Sequence, residues 1–314
     1  MYHIIVNPIS RSGRGLENWN IVEKYLNSHN VPYHVYISQR MGHITEIARE
    51  ITRTLDNDSE PVHIIIIGGD GSINETLQGI CNFDKVRLSY IPTGSGNDFA
   101  RDLNMPSDPL ENLERILNSP REKQMDIGKA TYDIGNHKSE SRYFAVSCGL
   151  GFDAAVCEAV LHSPAKAVLN KLGLGKLIYL VQALRLLIAT EPVHGTLTLE
   201  DRNETKEFSN ILFAAAMNHR YEGGGFMFAP GADDSDGYLN LCLIDNIPKM
   251  KVIRVLPTAF KGNHIRYKEV HSYCTRCYTL HTDVPMWLQA DGEIPARTST
   301  VTISCIPKLL HFCY

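Results

Sequence analysis

The sequence predicts an α/β, doubly wound N-terminal domain over residues 1–127, followed by a mainly antiparallel β-sandwich domain over residues 128–304. Strand-like and helix-like patterns alternate through the first 127 residues, as they do in a parallel sheet with crossover helices. Beyond Asp126-Ile127-Gly128, short β-type runs are separated by turn residues, which is typical of an antiparallel sandwich or barrel. We leave open whether a tail of about residues 305–314 returns to the first domain.

In the first domain, the strongest strand signal is VHIIII at 62–67, because a continuous β-branched run suits a strand buried on both faces. Apolar residues recur at helical spacing between Ile44 and Leu55. The predicted strands are 2–6, 33–37, 62–67 and 88–91, and the predicted helices are 17–28, 44–55, 73–81 and 109–117.

In the second domain, the predicted strands are short. They span 142–147, 195–200, 210–217, 238–244 and 278–282, and one helical insertion is predicted at roughly 165–190. His271, Cys274, Cys277 and His281 have residue types that could ligate zinc, but their flanks alternate like a strand and the longer excursion between ligand pairs is missing. We therefore favour the strand.

The composition excludes several classes of protein. Of the 314 residues, 43% are hydrophobic and 21% are charged, which is an ordinary globular balance and argues against disorder. A net charge of −4 gives no basic excess, so we expect no nucleic-acid partner. No apolar run is long enough to span a bilayer, and the first residues lack a cationic leader. Eight scattered cysteines are typical of reduced core thiols, so we expect a cytoplasmic protein.

Three glycine-rich turns follow predicted parallel strands. NPISRSGRG at 7–15 follows the first strand, GGDGSINE at 68–75 follows the strongest, and PTGSGNDFAR at 92–101 follows the next. Because ligands collect beyond the carboxyl ends of such strands, we expect the turns to gather and to bind phosphate. None has P-loop or dinucleotide-fingerprint spacing. Asp70 would be repelled by phosphate, so we interpret it as a magnesium ligand; alone, its motif could be a plain turn.

Two acidic motifs lie in the second domain. Asp233, Asp234 and Asp236 repel one another unless they are solvated or hold a hard cation. Asp291-Gly292-Glu293 carries two further carboxylates, and without other evidence a solvated turn between strands is the simpler interpretation. From the residues alone, a plain acidic turn remains an alternative for both motifs.

GGDGSINE followed by PTGSGNDFAR resembles the diacylglycerol kinase catalytic domain in its soluble bacterial lipid kinase form. The likeness extends to the opening NP-x-S-x-x-G, to NHRYEGGGFMFAPGADDSDGYLNL at 218–241, to Asp-Gly-Glu at 291–293 and to IPKLL at 306–310. The usual threonine of the family is serine at positions 72 and 95, and both residues keep the hydroxyl group.

The resemblance implies the fold above and an ATP-dependent kinase that phosphorylates a lipid hydroxyl, with the nucleotide in a cleft between the two domains. It implies Glu293 as the catalytic base, with Asp291 orienting the reaction or contacting metal, and a structural magnesium ion held by Asp233, Asp236 and the carbonyl group of Tyr238. The expected nucleotide contacts are Asn7, Pro8, Ser10, Arg11, Ser12, Gly13, Arg14, Ser38, Gly69, Asp70, Gly71, Ser72, Ile73, Asn74, Glu75, Ser95, Asn97 and Asp98.

The leading hypothesis is a cytoplasmic, peripherally membrane-associated kinase that makes phosphatidic acid from ATP and diacylglycerol, with magnesium. Kinases of sphingoid bases, ceramide, phosphatidylglycerol or NAD are alternatives, and a non-catalytic nucleotide or lipid sensor is a further one. Two basic, apolar stretches, 168–188 and 249–268, could contact an anionic membrane or could pack on the protein's own sheet. The oligomeric state stays open, with a homodimer among the alternatives.

Overall fold

The computed structural model describes residues 1–94, 96–118, 120–135, 138–163, 175–189, 191 and 193–314. Two compact units are formed, one from Met1–Ile127 with Pro307–Tyr314 and the other from Gly128–Ile306. The boundary predicted from the sequence lies at the same point, after residue 127. Among the described residues, no helix has both the length and the apolar character needed to cross a bilayer.

The first unit is a parallel sheet with helices. Its strands are β1 (Tyr2–Val6), β2 (Tyr33–Ile37), β3 (Val62–Gly68) and β4 (Val86–Pro92), and its helices are α1 (Arg14–Ser28), α2 (His43–Thr52), α3 (Asp70–Gly79), α4 (Asp98–Asp102) and α5 (Pro109–Asn118). The strand order is β2-β1-β3-β4, and the last part of the C-terminal strand, at His311 and Phe312, pairs in parallel with β4. The predicted doubly wound domain is confirmed.

The core of the first unit explains this arrangement. Trp19, Val22 and Leu26 of α1 and Leu113 and Ile116 of α5 pack on alternate strand residues, which are Ile4, Val6, Ile65 and Ile67. The intervening Ile5, Ile64 and Ile66 point to the other face by strand alternation and are fully buried as well. VHIIII therefore has no polar alternation because both faces of its strand are covered.

The second unit is mainly antiparallel. Its strands are β5 (Glu122–Asp133, which begins in the first unit), β6 (Ser139–Phe144), β7 (Ser147–Gly151), β8 (Gly195–Leu199), β9 (Glu204–Phe208), β10 (Ile211–Met217), β11 (Leu239–Asp245), β12 (Val270–Thr275), β13 (Cys277–Ala290) and β14 (Glu293–Cys313, which ends in the first unit). The order is β12-β11-β10-β7-β13-β14, with β8 and β9 continuing from β13 and β5 pairing β6 and β14. Helices α6 (Phe152–Leu161), α7 (Gly175–Ala189) and α8 (Lys249–Val255) accompany them.

Both faces of β10 are buried. Ala214 and Ala216 belong to one apolar cluster, which also contains residues of β8, β13 and β14. Phe213, Ala215 and Met217 belong to a second cluster, which contains residues of α6 and α8. This layering confirms the predicted β-sandwich class, and it explains why β10 is entirely apolar.

Several boundaries differ from the predictions. The single strand predicted at 142–147 is wrong, because the chain turns at Ala145-Val146 between β6 and β7. The predicted helical insertion at 165–190 is α7 over 175–189, residues 164–174, 190 and 192 lie outside the described part, and α6 precedes it. The sequence also gave no prediction for α4 or α8.

The structure shows which cysteines are buried and which strands carry the candidate zinc ligands Cys274 and Cys277. All eight thiols are free, but Cys81 and Cys274 are exposed, so the prediction that all are core residues is wrong for these two. Cys274 lies on β12 and Cys277 begins β13, which agrees with the strand interpretation. Within the described part of the chain, no three His, Cys, Asp or Glu side chains are placed to hold a metal together.

Candidate functional site

The ends of β1 and β3 meet at the point where the strand order of the first unit reverses. In an open parallel sheet, ligands bind beyond the carboxyl ends of the strands at this switch point. Here Asn7, just after β1, donates a hydrogen bond from Nδ2 to Oγ of Ser72 in the first turn of α3, at 3.1 Å. The backbone N–H of Ser38, just after β2, donates to the carbonyl of Val6 at 2.8 Å. Predicted site residues from three strand ends are thus adjacent.

The turn after β4 joins the same edge. Ser10 Oγ donates to the carbonyl of Asn7 at 2.9 Å and lies 2.6 Å from the hydroxyl of Thr93. Thr93 was not among the predicted site residues, although it is the first residue after β4 and opens the TGSGN run. Its position directly after a buried parallel strand was the signal that could have identified it.

Glycine is required where the second and third turns touch. A Cβ atom on Gly94 would lie 2.9 Å from Cα of Gly69 and 2.5 Å from Oδ1 of Asn97. Such distances leave no space for any side chain. The two backbones can therefore approach each other only with glycine at this position, as the motif has it.

Asp70 and Asp98 connect α3 to α4. Asp70 Oδ2 accepts a hydrogen bond from the backbone N–H of Asp98 at 2.9 Å, and Asp98 Oδ1 lies 3.5 Å from Nη1 of Arg101. Tyr90 donates from its hydroxyl to Oδ1 of Asn97 at 3.3 Å. Burial, with the nearby charges of Asp70 and Asp98, raises the pKa of Tyr90 well above its usual value, so this hydroxyl stays protonated. The Asp70 carboxylate therefore holds the backbone at the start of α4, where Asp98 is the first residue.

Some predicted nucleotide contacts point elsewhere. Ile73 and Asn74 have fully buried side chains, and their role as nucleotide contacts stays a prediction. Glu75 Oε2 accepts from the backbone N–H of Ile44 at 3.2 Å, which ties this side chain to the start of α2 rather than to the switch point. The reason is helix periodicity, because Gly71 and Ser72 occupy the first turn and the next residues rotate away.

The opening loop has an unusual backbone. Arg11, Ser12 and Gly13 all adopt positive φ angles, of 45°, 58° and 104°. The side chains of Arg11, Ser12 and Arg14 are exposed, while Pro8 is half-buried. Ser95 lies outside the described residues. The loop directly after β1 therefore carries two exposed arginines, whose guanidinium groups are planar donors suited to phosphate.

The predicted Asp-Gly-Glu motif is the turn between β13 and β14. Asp291 has a φ of 51°, and its carboxylate accepts the backbone N–H groups of Ala145 (2.8 Å), Val146 (2.8 Å) and Ser147 (3.0 Å). These donors sit where the chain passes from β6 to β7. Both oxygens of the Asp291 carboxylate thus hold backbone N–H groups, and the expectation that Asp291 orients the reaction or contacts metal stays a prediction. Glu293 is half-buried at the start of β14.

Gln289 supports the same turn and was not predicted. Its Oε1 accepts from the backbone N–H of Gly292 at 2.9 Å, and its Nε2 donates to Oε1 of Glu222 at 3.0 Å. Asp153 Oδ2 lies 3.5 Å from the same nitrogen, and Asp153 Oδ1 is buried with no hydrogen-bond partner among the described residues. Burial raises the pKa of Asp153 to about 6. The buried Gln289 thus links the turn before Glu293 to the half-buried Glu222 and Asp153.

The run at 233–236 forms two local turns. Asp233 Oδ1 accepts the backbone N–H of Ser235 at 3.0 Å, and Asp236 Oδ1 accepts that of Tyr238 at 2.8 Å. Asp233 and Asp236 are exposed, whereas Asp234 is buried with Oδ2 at 3.9 Å from Nε2 of His219. Asp233, Asp236 and Tyr238 suit a hard cation by donor type, since carboxylate and carbonyl oxygens are what magnesium prefers. The same side-chain bonds occur in a solvated turn.

Comparisons with known proteins agree with this geometry. The family model described as "Diacylglycerol kinase catalytic domain" matches residues 1–130, and the model described as "YegS C-terminal NAD kinase beta sandwich-like domain" matches residues 146–314. The Bacillus subtilis protein named "Putative lipid kinase YtlR" is 28% identical over 297 residues, which are 95% of this chain and 94% of that protein. A Mycobacterium tuberculosis protein named "Diacylglycerol kinase" is 30% identical over 249 residues, 79% of this chain and 75% of that protein.

A solved structure shows the same fold. The crystal structure described as "a putative diacylglycerol kinase from Bacillus anthracis str. Sterne" superposes with a TM-score of 0.75 at 21% identity, covering 100% of this chain and 94% of that one. The two family models match residues 1–130 and 146–314, and the first ends near the boundary between the two units. The chain therefore belongs to the diacylglycerol kinase and lipid kinase family, in which a diacylglycerol kinase catalytic domain is joined to a YegS-type C-terminal domain.

Proposed function

We propose that this protein is an ATP-dependent kinase that phosphorylates the hydroxyl group of diacylglycerol to give phosphatidic acid. The observation that carries the proposal is the meeting of three turns in the first unit, through the Asn7–Ser72, Ser10–Thr93 and Asp70–Asp98 hydrogen bonds. Hydroxyl groups and the N-terminus of α3 lie together there, and the same opening loop carries the exposed Arg11 and Arg14. This is the chemistry that binds a polyphosphate.

The first unit would hold the nucleotide. Backbone N–H groups at the start of α3 and the hydroxyl of Ser72 are suited to phosphate oxygens, and Arg11 and Arg14 offer planar donors to the same charge. Asp70 and Asp98 would engage the magnesium ion that accompanies ATP, directly or through water. When bound, that ion neutralises phosphate charge, and the protein's residues supply the positioning.

The second unit would supply the base. We assign to Glu293 the role of accepting the proton of the lipid hydroxyl as its oxygen bonds to the γ-phosphorus, while the bond from that phosphorus to the ADP oxygen breaks. Asp291 and Gln289 would position Glu293 indirectly. Their side chains hydrogen-bond to backbone N–H groups, of Val146 and Gly292 respectively, and so fix the turn that precedes Glu293. Asp233, Asp236 and the Tyr238 carbonyl would hold a separate structural magnesium ion.

The test is transfer of radiolabelled phosphate from ATP to a panel of lipids in mixed micelles, with NAD as a soluble acceptor. We expect label on diacylglycerol, lost in Asp70→Asn and Glu293→Gln variants. If the label is mainly on a sphingoid base, ceramide or phosphatidylglycerol, that lipid is the acceptor instead of diacylglycerol, and the assignment as a lipid kinase stands. Label only on NAD would overturn the lipid assignment, and ATP binding without transfer to any acceptor would indicate a sensor.

A further inference from the structure

Residues 247–268 form a segment with a strong local charge. It contains Lys249, Lys251, Arg254, Lys261, Arg266 and Lys268, and it contains no aspartate or glutamate. The chain as a whole carries a net charge of −4, so this excess of positive charge is a local feature. We call residues 247–268 the basic–apolar segment.

The same segment exposes large apolar side chains. Met250 is 75% exposed and Ile253 is 45% exposed, and these two residues of α8 share a face because they are three positions apart. Phe260 and Ile265, in the helical turns that follow, are 51% and 45% exposed. The segment is anchored from its other face, where Val252 and Val255 belong to the apolar core. The exposed Met250 and Ile253 therefore project from a helix that is packed against the core by its opposite face.

Cationic and apolar groups are interleaved at the surface. An open groove of about 500 Å³ is lined by Pro248, Met250, Lys251, Arg254 and Tyr267. Lys249 Nζ donates to the carbonyl of Ile188 at 2.6 Å, which places the exposed Ile188 beside α8. Lys251 is paired with Glu269 at 2.7 Å, while Arg254 and Lys261 are exposed. Several positive charges therefore border the apolar groups.

We infer that the basic–apolar segment is the surface by which this protein binds an anionic lipid bilayer. Apolar side chains that enter the interface gain burial, and lysine and arginine at the same level are attracted to negative headgroups. A soluble acidic partner would match the charges but would leave Met250 and Ile253 in water. The inference rests on the proposed function for its purpose, because a diacylglycerol substrate resides in a membrane, but binding can be measured without catalysis.

The experiment measures sedimentation of the full chain with sucrose-loaded vesicles, without ATP. One set of vesicles contains phosphatidylcholine only, and the other contains phosphatidylcholine and phosphatidylglycerol at about 7:3. We expect at least about tenfold tighter binding to the anionic vesicles in about 0.1 M salt, weakened several-fold in about 0.5 M salt because surface charges are screened. Equal binding to both vesicles, or no binding to either, would overturn the inference.

Variants then identify the surface. Met250→Glu with Ile253→Glu should weaken anionic-vesicle binding at least about tenfold, since it removes apolar burial and adds repulsion. Arg254→Glu with Lys261→Glu should do the same. Met41→Glu is the matched control, because Met41 is 77% exposed in the first unit and undergoes the same chemical change. Circular dichroism and melting temperature confirm that each variant is folded.

Four outcomes separate this inference from its alternatives. Wild-type binding by the Met250→Glu, Ile253→Glu variant would overturn it, as would an equal loss in Met41→Glu. A wild-type dimer that the double variant converts to monomers would show that a second copy covers the surface, and would also overturn it. If vesicle binding depends on Met250 but the protein phosphorylates no lipid, the membrane-binding role of the basic–apolar segment is supported and the proposed function is rejected.

Discussion

Gln289 holds Gly292 by a hydrogen bond of 2.9 Å, from the backbone N–H of Gly292 to Oε1 of Gln289. Gly292 is the residue immediately before Glu293, so a nearly completely buried side chain fixes the backbone that carries the assigned base. The other end of the same side chain donates to Glu222, which keeps the amide in one orientation.

The first prediction concerns this link. Gln289→Met keeps the approximate shape but removes the acceptor for Gly292, so we expect kcat to fall about tenfold with the KM for ATP unchanged. Gln289→Glu combined with Glu222→Gln keeps an acceptor for Gly292 and a donor between positions 222 and 289, so this double variant should retain more activity than Gln289→Met. Steady-state kinetics on both variants tests this, and a matching loss in the two variants would show that the acceptor is not what matters.

Glu293→Gln should abolish turnover while ATP affinity is kept, because the amide preserves size but cannot accept the hydroxyl proton at neutral pH. The measurement pairs initial rates of lipid phosphorylation with calorimetric ATP binding. Glu207→Gln, an exposed strand residue of the same unit, is the control and should behave as wild type. An unchanged rate in Glu293→Gln would remove it as the base.

Asp70 can be tested for charge and for structure separately. Asp70→Asn retains an oxygen that can accept the backbone N–H of Asp98, whereas Asp70→Ala removes it. We expect both variants to lose turnover, because the negative charge for magnesium is gone in each, and we expect the melting temperature to fall only for Asp70→Ala. Full activity in Asp70→Asn would reject the assigned metal role.

The acidic run at 233–236 gives a metal prediction. If Asp233 and Asp236 hold magnesium, chelation should lower the melting temperature of the wild type, and Asp236→Asn should remove that difference. Asp56→Asn is a matched control, since Asp56, like Asp236, is exposed and accepts the backbone N–H of the residue two positions on. A melting temperature that chelation leaves unchanged would identify the run as a solvated turn.

Asp153 predicts a pH dependence of stability. Its folded-state pKa is about 6 because of burial, above the ordinary 3.8, so the native protein holds this proton more tightly than the unfolded chain. Burial therefore disfavours the ionised carboxylate in the folded protein. The contribution of Asp153 to the free energy of unfolding falls as pH rises from about 4 to about 6. Asp153→Asn should raise the melting temperature at pH 8 by the equivalent of about 1–3 kcal/mol and have little effect at pH 4. An equal shift in melting temperature at pH 4 and pH 8 would show that the effect does not come from ionisation of Asp153.

The sequence identified the parallel sheet because its signals are local. Four isoleucines in a row at 64–67 and glycines directly after the strands describe burial and turn geometry within a few residues. The strand break at Ala145-Val146 could not be predicted in this way, because the carboxylate that stabilises it belongs to Asp291, far along the chain. Gln289 was missed for the same reason, since its partners lie on separate segments.

Helix α8 could not be predicted from the sequence for a different reason. Lys249, Lys251 and Arg254 are prominent in the sequence and draw attention to charge, whereas the apolar pattern in seven residues is too short for a helix prediction. Tertiary contacts of Val252 and Val255 stabilise the helix instead. The turns after β1, β3 and β4 were predicted to meet, and they do, because parallel strands align their carboxyl ends whatever the details of the loops.

The strand that residues Pro307–Tyr314 add to the first unit affects how the chain can mature. Phe312 pairs with Leu88 of β4, and Ser89 donates from its hydroxyl to the carbonyl of Cys313 at 2.6 Å. A ribosome therefore has to synthesise all of the second unit before it can deliver the segment that completes the first. The first unit, although encoded earliest, should be among the last regions to become resistant to protease during translation.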